Sequence, residues 1–494
     1  MDAVCGGLQL LWIRRAQRVA GPHSRAGRLS TVEAAPADLA TGLGAGRGGA
    51  ASAWLTTIDG RAVARFRLEG GNHRGAVGPV EGEVIERLID QAGRLGVPVV
   101  GELATSGAEV AEGLRSLWAW GRIARGLTTV SGSVPIVLSV VGPCLAGPSL
   151  LLGLADHVVM TAGSYAYLSG PDAVARFTGV TTAAEALGGS AMHERRSGLA
   201  TLVAADEEEA ADSVADLLSY LPSNYRDEAP LVATDDPVDR ASDRAARCLP
   251  ERATASYDVR VVVGDVLDSE SFMEVRAQSA ANVVTGYGRL GGQSVGVVAN
   301  QPNHKAGTLD IDASRKAARF VQHCDSFGLP IITFVDSPGY HPGRDLEWQG
   351  LIRHGAQLVH AYAAATVPRL CVVMRKAFGG AYIVMDSKGL GNDVCLAWPS
   401  AEIAVMGAAG AVAVLQGRKL AAIEDPEARA KHQATLEAEY AEKFCTPRVA
   451  AERGYVDQVI NPCDTRRALY AALDSLRTKR ARPLSGPKHS NSPL

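Results

Sequence analysis

The chain has 494 residues, 47% hydrophobic and 21% charged, with a net charge of −3, which allows one to three ordinary globular domains. This balance gives no electrostatic case for nucleic acid or an anionic membrane surface. No apolar stretch approaches the roughly 18 residues of a membrane-crossing helix, and the eight cysteines include no C-x-x-C pair that would suggest a zinc ribbon or a dithiol site.

In chain order, residues 1–53 read as an N-terminal tail. Between Ala3 and Val32 there is no acid, while Arg14, Arg15, Arg18, Arg25 and Arg28 occur. That composition reads as an unstructured tail, with an organellar transit peptide as the alternative. Leu8–Ile13 is too short an apolar run, with no positive region before it, for a secretory signal. Thr41–Ser52 is a Gly/Ala-rich linker. Glu81–Leu95 has helical spacing, with Val84, Ile85, Leu88 and Ile89 on one face. Val97–Gly101, Ile136–Val141 and His157–Met160 read as buried strands. Pro222, Pro230, Pro237 and Pro250 mark a connection. Beyond it Ala313–Phe327 and Trp348–Ala365 read as helices, and Ile331–Asp336, Leu370–Arg375 and Val394–Ala397 as strands. The alternation predicts an α/β fold with mainly parallel strands. The tail after about Lys479 is basic, then Pro/Ser-rich, and predicts disorder. Cysteines such as Cys371, inside apolar runs, suit small hydrophobes in a reducing cytoplasmic compartment.

The chain also repeats itself. Gly60 and Gly292 lie in matching contexts 232 residues apart, as do Gly75 and Gly307, Pro98 and Pro330, and Ser106-Gly107 and Pro338-Gly339. Val134-Pro135 matches Val367-Pro368, and Gly147 matches Gly380, at a spacing of 233. Asp156 matches Asp393, and Gly170 matches Gly407, at 237. So small a drift over so long a stretch predicts a duplicated domain of about 200 residues.

Two glycine turns occupy matching places in the two copies. The second is Arg375-Lys376-Ala377-Phe378-Gly379-Gly380-Ala381-Tyr382, after the apolar strand. The first is Gly142-Pro143-Cys144-Leu145-Ala146-Gly147-Pro148, after Ile136–Val141. Glycines there let backbone approach a ligand. A helix starting at Ala381 leaves N–H groups pointing at incoming negative charge, the geometry of an oxyanion hole. Either turn alone is more often a tight packing point; their recurrence in register favours function.

The sequence resembles the carboxyltransferase β subunits of acetyl-CoA and propionyl-CoA carboxylases, from about Trp54 to Leu476. The second half carries Val298-Ala299-Asn300-Gln301-Pro302, Ala306-Gly307-Thr308-Leu309-Asp310-Ile311-Asp312, Lys316–Val321, Asp336-Ser337-Pro338-Gly339-Tyr340 and Ile352-Arg353-His354-Gly355-Ala356. The Arg375–Tyr382 turn, Ala397–Gly407, Gly454-Tyr455-Val456-Asp457 and Thr465-Arg466 follow. The resemblance implies two tandem crotonase-like (ClpP/crotonase) α/β domains, an N-terminal carboxyltransferase domain over 54–221, a linker over 222–256 and a C-terminal carboxyltransferase domain over 257–494. It implies carboxyl transfer from carboxybiotin, carried by a partner, to the α-carbon of acetyl-CoA or propionyl-CoA, giving malonyl-CoA or methylmalonyl-CoA. In that chemistry carboxybiotin releases CO2, the ureido anion takes the α-proton of the thioester, and the enolate attacks CO2. By resemblance Ala146 and Gly147 hold the thioester oxygen, while Gly380 and Ala381, with Gly379, hold the biotin ureido oxygen. Gly75, Gly78, Ser106, Gly107, Gly307 and Ile383 fall where substrate binds, Ile383 being either a wall of the acyl pocket or a core residue. Expected partners are acyl-CoA, a biotin carboxylase/biotin carrier α subunit and further copies of the chain in a hexamer, with no metal, nucleic acid or membrane. The location implied is cytoplasmic, with the mitochondrial matrix as the alternative.

The first half departs from the family pattern. Leu145-Ala146-Gly147-Pro148 replaces the end of Gly-Pro-Cys-Ala-Gly-Gly; Ala146 can donate its N–H if φ stays negative, and Pro148 cannot donate. Glu102–Glu109 lacks the arginine of Asp-Ser-Gly-Gly-Ala-Arg, and Arg74–Gly78 replaces Gly-Gly-Ser-x-Gly. Two other readings therefore stand beside the carboxylase: a non-catalytic scaffold subunit, and the carboxyltransferase of a biotin-linked acyl-CoA decarboxylase. Among remaining polar residues, His341 and His354 read as structural hydrogen-bonders, Glu207–Glu209 as a solvated helix start, and Asp386 and Lys388 as surface groups.

Overall fold

A computed structural model of the chain describes residues 49–479 except Gly71 and Ala253. The expected N-terminal tail, but for residues 49–53, and the tail beyond Lys479 lie outside the described residues.

The first half holds β1 (Ala51–Ile58), β2 (Arg61–Leu68), β3 (Val99–Thr105), β4 (Ile136–Leu145), β5 (His157–Thr161), β6 (Tyr165–Tyr167) and β7 (Leu202–Ala204). They form one sheet in the order β1-β2-β3-β4-β5-β7, with β6 alongside the end of β4. Only the β1–β2 hairpin is antiparallel; β2 to β7 run parallel. The second half adds a short β8 (Met273–Val275), then β9 (Val283–Leu290), β10 (Gln293–Asn300), β11 (Ile331–Ser337), β12 (Arg369–Phe378), β13 (Val394–Ala397), β14 (Glu402–Ala404) and β15 (Gln458–Val459). The order β9-β10-β11-β12-β13-β15, with β14 beside the end of β12, repeats the first sheet strand for strand. β2 and β10 start 232 residues apart, β4 and β12 start 233 apart, and β5 and β13 start 237 apart, the spacings read from the glycines.

Strand alternation splits the core into layers. Ala64, Phe66, Leu103 and Leu138 face helices α1 (Pro79–Leu95) and α2 (Leu114–Val130). Their neighbours Val63, Val100 and Val137 face the other way and join Val298, Ile331 and Val373 of the second half in a shared core. The two halves therefore pack through sheet faces. In the second half, α3 (Ile311–Ser326) and α4 (Leu351–Ala364) take the places of α1 and α2. The single helix expected over Trp348–Ala365 is broken: a short turn ends at Trp348, and Gly350 at φ 94 precedes α4.

The connecting segment is docked on the second half. Asp236 takes hydrogen bonds from Arg240 and Ser269, and Leu231 pairs with Gln293. Arg466 is fully buried and donates to the carbonyls of Pro237, Val266 and Asp236 and to the Asp268 carboxylate. Its neighbour Thr465 accepts from the Trp398 indole at 3.0 Å. The Thr465-Arg466 and Trp398 segments that carry the resemblance thus serve packing. Asp386 corrects an expectation. It is fully buried rather than superficial, ion-paired to Arg369 at 2.7 Å, because a parallel-sheet interior leaves no solvent for either group. Lys388 reaches Asp457 at 2.7 Å. Glu207–Glu209 do open a helix, capped by Asp206.

Candidate active site

β12 runs into its turn with Phe378 extended and Gly379 at φ 61, then coils immediately as α5 (Gly379–Val384). The helix begins two residues earlier than expected. Gly380 and Ala381 occupy its first turn, where no upstream carbonyl is in register for their N–H groups, while Gly379 follows directly on the β12–β14 ladder that pairs Phe378 with Ala404. The adjacent N–H groups of Gly380 and Ala381 thus lie at the C-terminal end of a buried strand. A Cβ at Gly379 would lie 3.2 Å from the Val405 carbonyl, and one at Gly380 would lie 3.8 Å from the Tyr340 ring. Tyr340 packs across Gly355, and burial raises its hydroxyl to about 12, so it is a neutral wall of the site. Ile383 is 42% exposed and is not a core residue.

Beneath this turn Asp336, at the end of β11, accepts from Arg375 Nε at 2.9 Å and from the Lys376 N–H at 3.1 Å. Arg375 also donates to Ala255 O at 2.8 Å and stacks over the Tyr257 ring. This buried pair locks β11 to β12 below the donors. The sequence reading missed the pairing, although both residues sit in the segments that carried the resemblance. Their adjacency at the ends of neighbouring strands was the available signal.

The first turn is built on the same path with a different residue. Ala146 has φ 56 and ψ −146, so the condition under which it was expected to donate fails. The cause is the repeat itself: Ala146 stands where Gly379 stands. Its N–H is spent on the Tyr167 carbonyl at 2.9 Å, extending the β4–β6 ladder. A 3₁₀ turn, Gly147–Leu154, follows, with Pro148 second. Gly147 is left as the donor of this turn, its Cα against Trp120, where a Cβ would meet the indole at 2.9 Å. In place of the Asp336–Arg375 pair the first half has Ala104 beside Gly142.

The other expected residues gather around these turns in two sets. In the first half Gly75 carries φ 69, and a Cβ there would strike the Ala104 carbonyl at 1.9 Å. The Ser106 N–H bonds Arg74 O, and the Val77 N–H bonds Gly107 O. The Gly107 N–H bonds the Thr105 hydroxyl, and the Gly78 N–H is capped by Glu81 at 2.9 Å. Gly107 in turn lies against Ala146. In the second half Gly307, at φ 73, sits under the Asp336 carbonyl, and Leu309 bridges Tyr340. The two rims are the same structure made twice. Elements packed on the first turn, α2 and β4, belong to one half, and those on the second, α4, β11 and β12, to the other. His341 and His354 bond Thr308 and Gln357. Among the described residues no group of three or more His, Cys, Asp or Glu is arranged to hold a metal. No helix there is long and apolar enough to cross a membrane.

Each half of the duplicated parallel sheet ends a strand in a turn that opens a helix, a geometry suited to developing negative charge on oxygen. Residues 42–492 match the family model described as "Carboxyl transferase domain". The chain belongs to that family. It is 45% identical, over 88% of its length and 84% of the relative, to a propionyl-CoA carboxylase carboxyltransferase subunit of Haloferax mediterranei. It is also 40% identical, over 89% and 84%, to a methylmalonyl-CoA decarboxylase subunit alpha of Veillonella parvula. Among solved structures it matches a transcarboxylase 12S hexamer with methylmalonyl-coenzyme A and methylmalonic acid bound. There the TM-score is 0.86 at 39% identity, over 90% of this chain and 85% of the other.

Proposed function

We propose that the chain is the carboxyltransferase subunit of a biotin-dependent acyl-CoA carboxylase acting on acetyl-CoA or propionyl-CoA, with carboxybiotin delivered on a separate carrier subunit. The observation that carries this reading is the Gly379-Gly380-Ala381 turn, which sets first-turn helix N–H groups at a strand end above the Asp336–Arg375 pair. These residues fit a ureido oxygen, an acceptor that takes in-plane donors from a cradle where a Cβ at Gly379 would crowd a carbonyl. When bound, carboxybiotin supplies the carboxyl group and a ureido oxygen that gains charge as the carboxyl group leaves. The Gly380 and Ala381 N–H groups donate to that oxygen. Across the site, the Gly147 N–H donates to the thioester oxygen, which gains charge as the α-carbon loses its proton. Ala146 shapes that turn and spends its own N–H on Tyr167. Each donor of this kind is worth about 3–4 kcal/mol of transition-state stabilisation. Gly75, Gly78, Ser106 and Gly107 form the acyl-CoA rim of the first half; Gly307 and Ile383 line the second.

Residues 54–221 and 257–494 are proposed as the N- and C-terminal carboxyltransferase domains, joined by 222–256. The two turns meet between copies of the chain in a hexamer. Supporting this, Val110, Trp118 and Phe177 in the first half, and Trp348, Ile352 and Val405 in the second, are large apolar residues left in solvent. The seven described cysteines are all free thiols, which suits a reducing cytoplasmic compartment.

The test is reconstitution of the full chain with a biotinylated α subunit, ATP, bicarbonate and a panel of acyl-CoAs. Carboxylation of a short acyl-CoA is expected. A complex that forms yet carboxylates nothing sinks the catalytic reading and leaves a scaffold subunit. The likeness to a decarboxylase subunit favours a second reading, the same transfer run in reverse. Biotin-dependent loss of CO2 from methylmalonyl-CoA, faster than any carboxylation, would select it.

A further inference from the structure

At the opposite end of the first sheet from its turn lies a cavity of about 250 Å³ between the halves. β4 is ten residues long, so about 30 Å of strand separates this corner from Gly147. Asp156 anchors it: its N–H and carboxylate bond the carbonyl and N–H of Ile136, the first residue of β4, at 2.9 and 2.8 Å. His157 beside it is 2% exposed, with Nε2 2.8 Å from the Tyr287 hydroxyl. From the second half come Arg276, and Arg319 and His323 of α3.

The corner is overcharged and underbonded. Asp156 is the one carboxylate lining the cavity among the described residues. One of its oxygens is taken by Ile136, and the other stands 3.5 Å from His323 Nδ1. Neither guanidinium forms an ion pair with a carboxylate: Arg276 donates to the carbonyls of Gly198 and Asp156, and Arg319 to that of Ala155. His157 Nδ1 and both nitrogens of His323 have no hydrogen-bond partner, although the His323 side chain is only 8% exposed. Burial, then the proximity of Arg319, lowers Arg276 to about 10. Burial, then His323, Arg276 and Arg319, holds His157 well below the usual histidine range.

The duplicated corner in the second half shows what is missing. There Asp393 bonds the Arg369 N–H at 2.8 Å, as Asp156 bonds Ile136. But every base has an acid: Lys479 pairs with Asp393, Arg369 with Asp386 and Lys388 with Asp457. Water in the first-half cavity would satisfy the orphan donors and the exposed Arg319, but it brings no negative charge to the half-buried Arg276. An anion does both, and guanidinium forks fit planar or tetrahedral oxyanions.

We propose that this cavity is a binding site for a small multivalent oxyanion, a phosphate or a dicarboxylate, held by Arg276, Arg319, His157 and His323 at the junction of the halves. The site lies at the other end of β4 from the first glycine turn and does not depend on which acyl-CoA is used.

Calorimetric titration of the full chain at fixed ionic strength, with inorganic phosphate in one arm and succinate in the other, tests it. At least one anion is expected to bind saturably at one site per chain, and the stronger arm identifies the class. The Arg319→Gln/His323→Asn double variant should bind it about tenfold more weakly or worse, while unfolding at the wild-type temperature without anion. If the double variant does not fold, the single Arg319→Gln change on the exposed helix face gives the same comparison. No saturable binding of either anion, or equal affinity in the folded variant, overturns the proposal.

Discussion

Replacing Ala146 by glycine should stabilise the protein, because the turn is drawn for glycine. At φ 56 and ψ −146 an L-side chain is strained by about 1–3 kcal/mol, since its Cβ crowds its own backbone. Against that, glycine loses about 0.5–1 kcal/mol more chain entropy on folding. The methyl group also packs toward Gly107, where the closest approach of two Cβ atoms would be 3.2 Å. For a half-buried methyl that contact is worth about 0.4 kcal/mol. The balance favours Ala146→Gly by about 1 kcal/mol. The Ala146 N–H bond to Tyr167 is a backbone bond and survives the change. The reciprocal substitution, Gly379→Ala, imports the same strain and sets a Cβ 3.2 Å from the Val405 carbonyl, so it should cost about 2 kcal/mol. Urea denaturation followed by fluorescence and circular dichroism measures both. An unchanged m-value with a raised midpoint is expected for the first variant and a lowered one for the second. The double variant should show additive effects, since the turns share no packing elements. If Ala146→Gly lowers the midpoint while Gly379→Ala leaves it unchanged, positive φ is not what distinguishes the turns and the reasoning fails.

Gly147→Ala places a Cβ 2.9 Å from the Trp120 indole; it should destabilise by about 1–3 kcal/mol through overpacking and raise the KM for acyl-CoA, read from midpoints and steady-state kinetics. Burial would raise the Asp236 carboxyl, but Arg240, Ser269 and Arg466 outweigh it and hold it at about 2. Its folded pKa thus lies below the unfolded value of about 3.9, so its contribution is complete above pH 4 and is lost as pH falls from about 4 to about 2. Asp236→Asn should cost about 1–2 kcal/mol at neutral pH and flatten stability across that window, as acid titration of the unfolding midpoint will show. Arg466→Leu leaves three carbonyls and Asp268 without their donor and should cost about 3–5 kcal/mol; a loss under 1 kcal/mol in chemical denaturation would contradict the role assigned to it.

The repeat was legible because glycines and prolines at strand ends fix backbone shape, and shape is what duplication preserves. Strands β4, β5, β12 and β13 were legible because they are buried on both faces and read as apolar runs. The β1–β2 and β9–β10 hairpins were not read as strands: Arg61, Arg65 and Arg67 interrupt β2, with Arg65 paired to Glu102 across the sheet. Such long-range pairing leaves no period in the sequence. The same is true of Arg369–Asp386 and Arg375–Asp336, 17 and 39 residues apart, and of Lys316, whose ammonium is buried among the carbonyls of Arg276, Ser279 and Val283.

The first turn shows how two kinds of sequence evidence can disagree. Residue type argued that Ala146 keeps φ negative, because alanine rarely leaves that region. Register argued otherwise, because Ala146 is aligned with Gly379, at φ 61. Register was the better guide: the path of a turn is set by the strands and ladder on either side, here β4 and β6, and the residue conforms at a cost. The chemistry follows from that path rather than from the glycine count. The second turn follows its β12–β14 ladder with two first-turn N–H groups, Gly380 and Ala381, whereas the first keeps Gly147 and loses the equivalent of Ala381 to Pro148. On the proposed assignment, the turn facing biotin keeps more first-turn N–H groups than the turn facing the thioester, and selectivity for the acyl group is assigned to the rim around Gly107 and Trp120 rather than to additional donors.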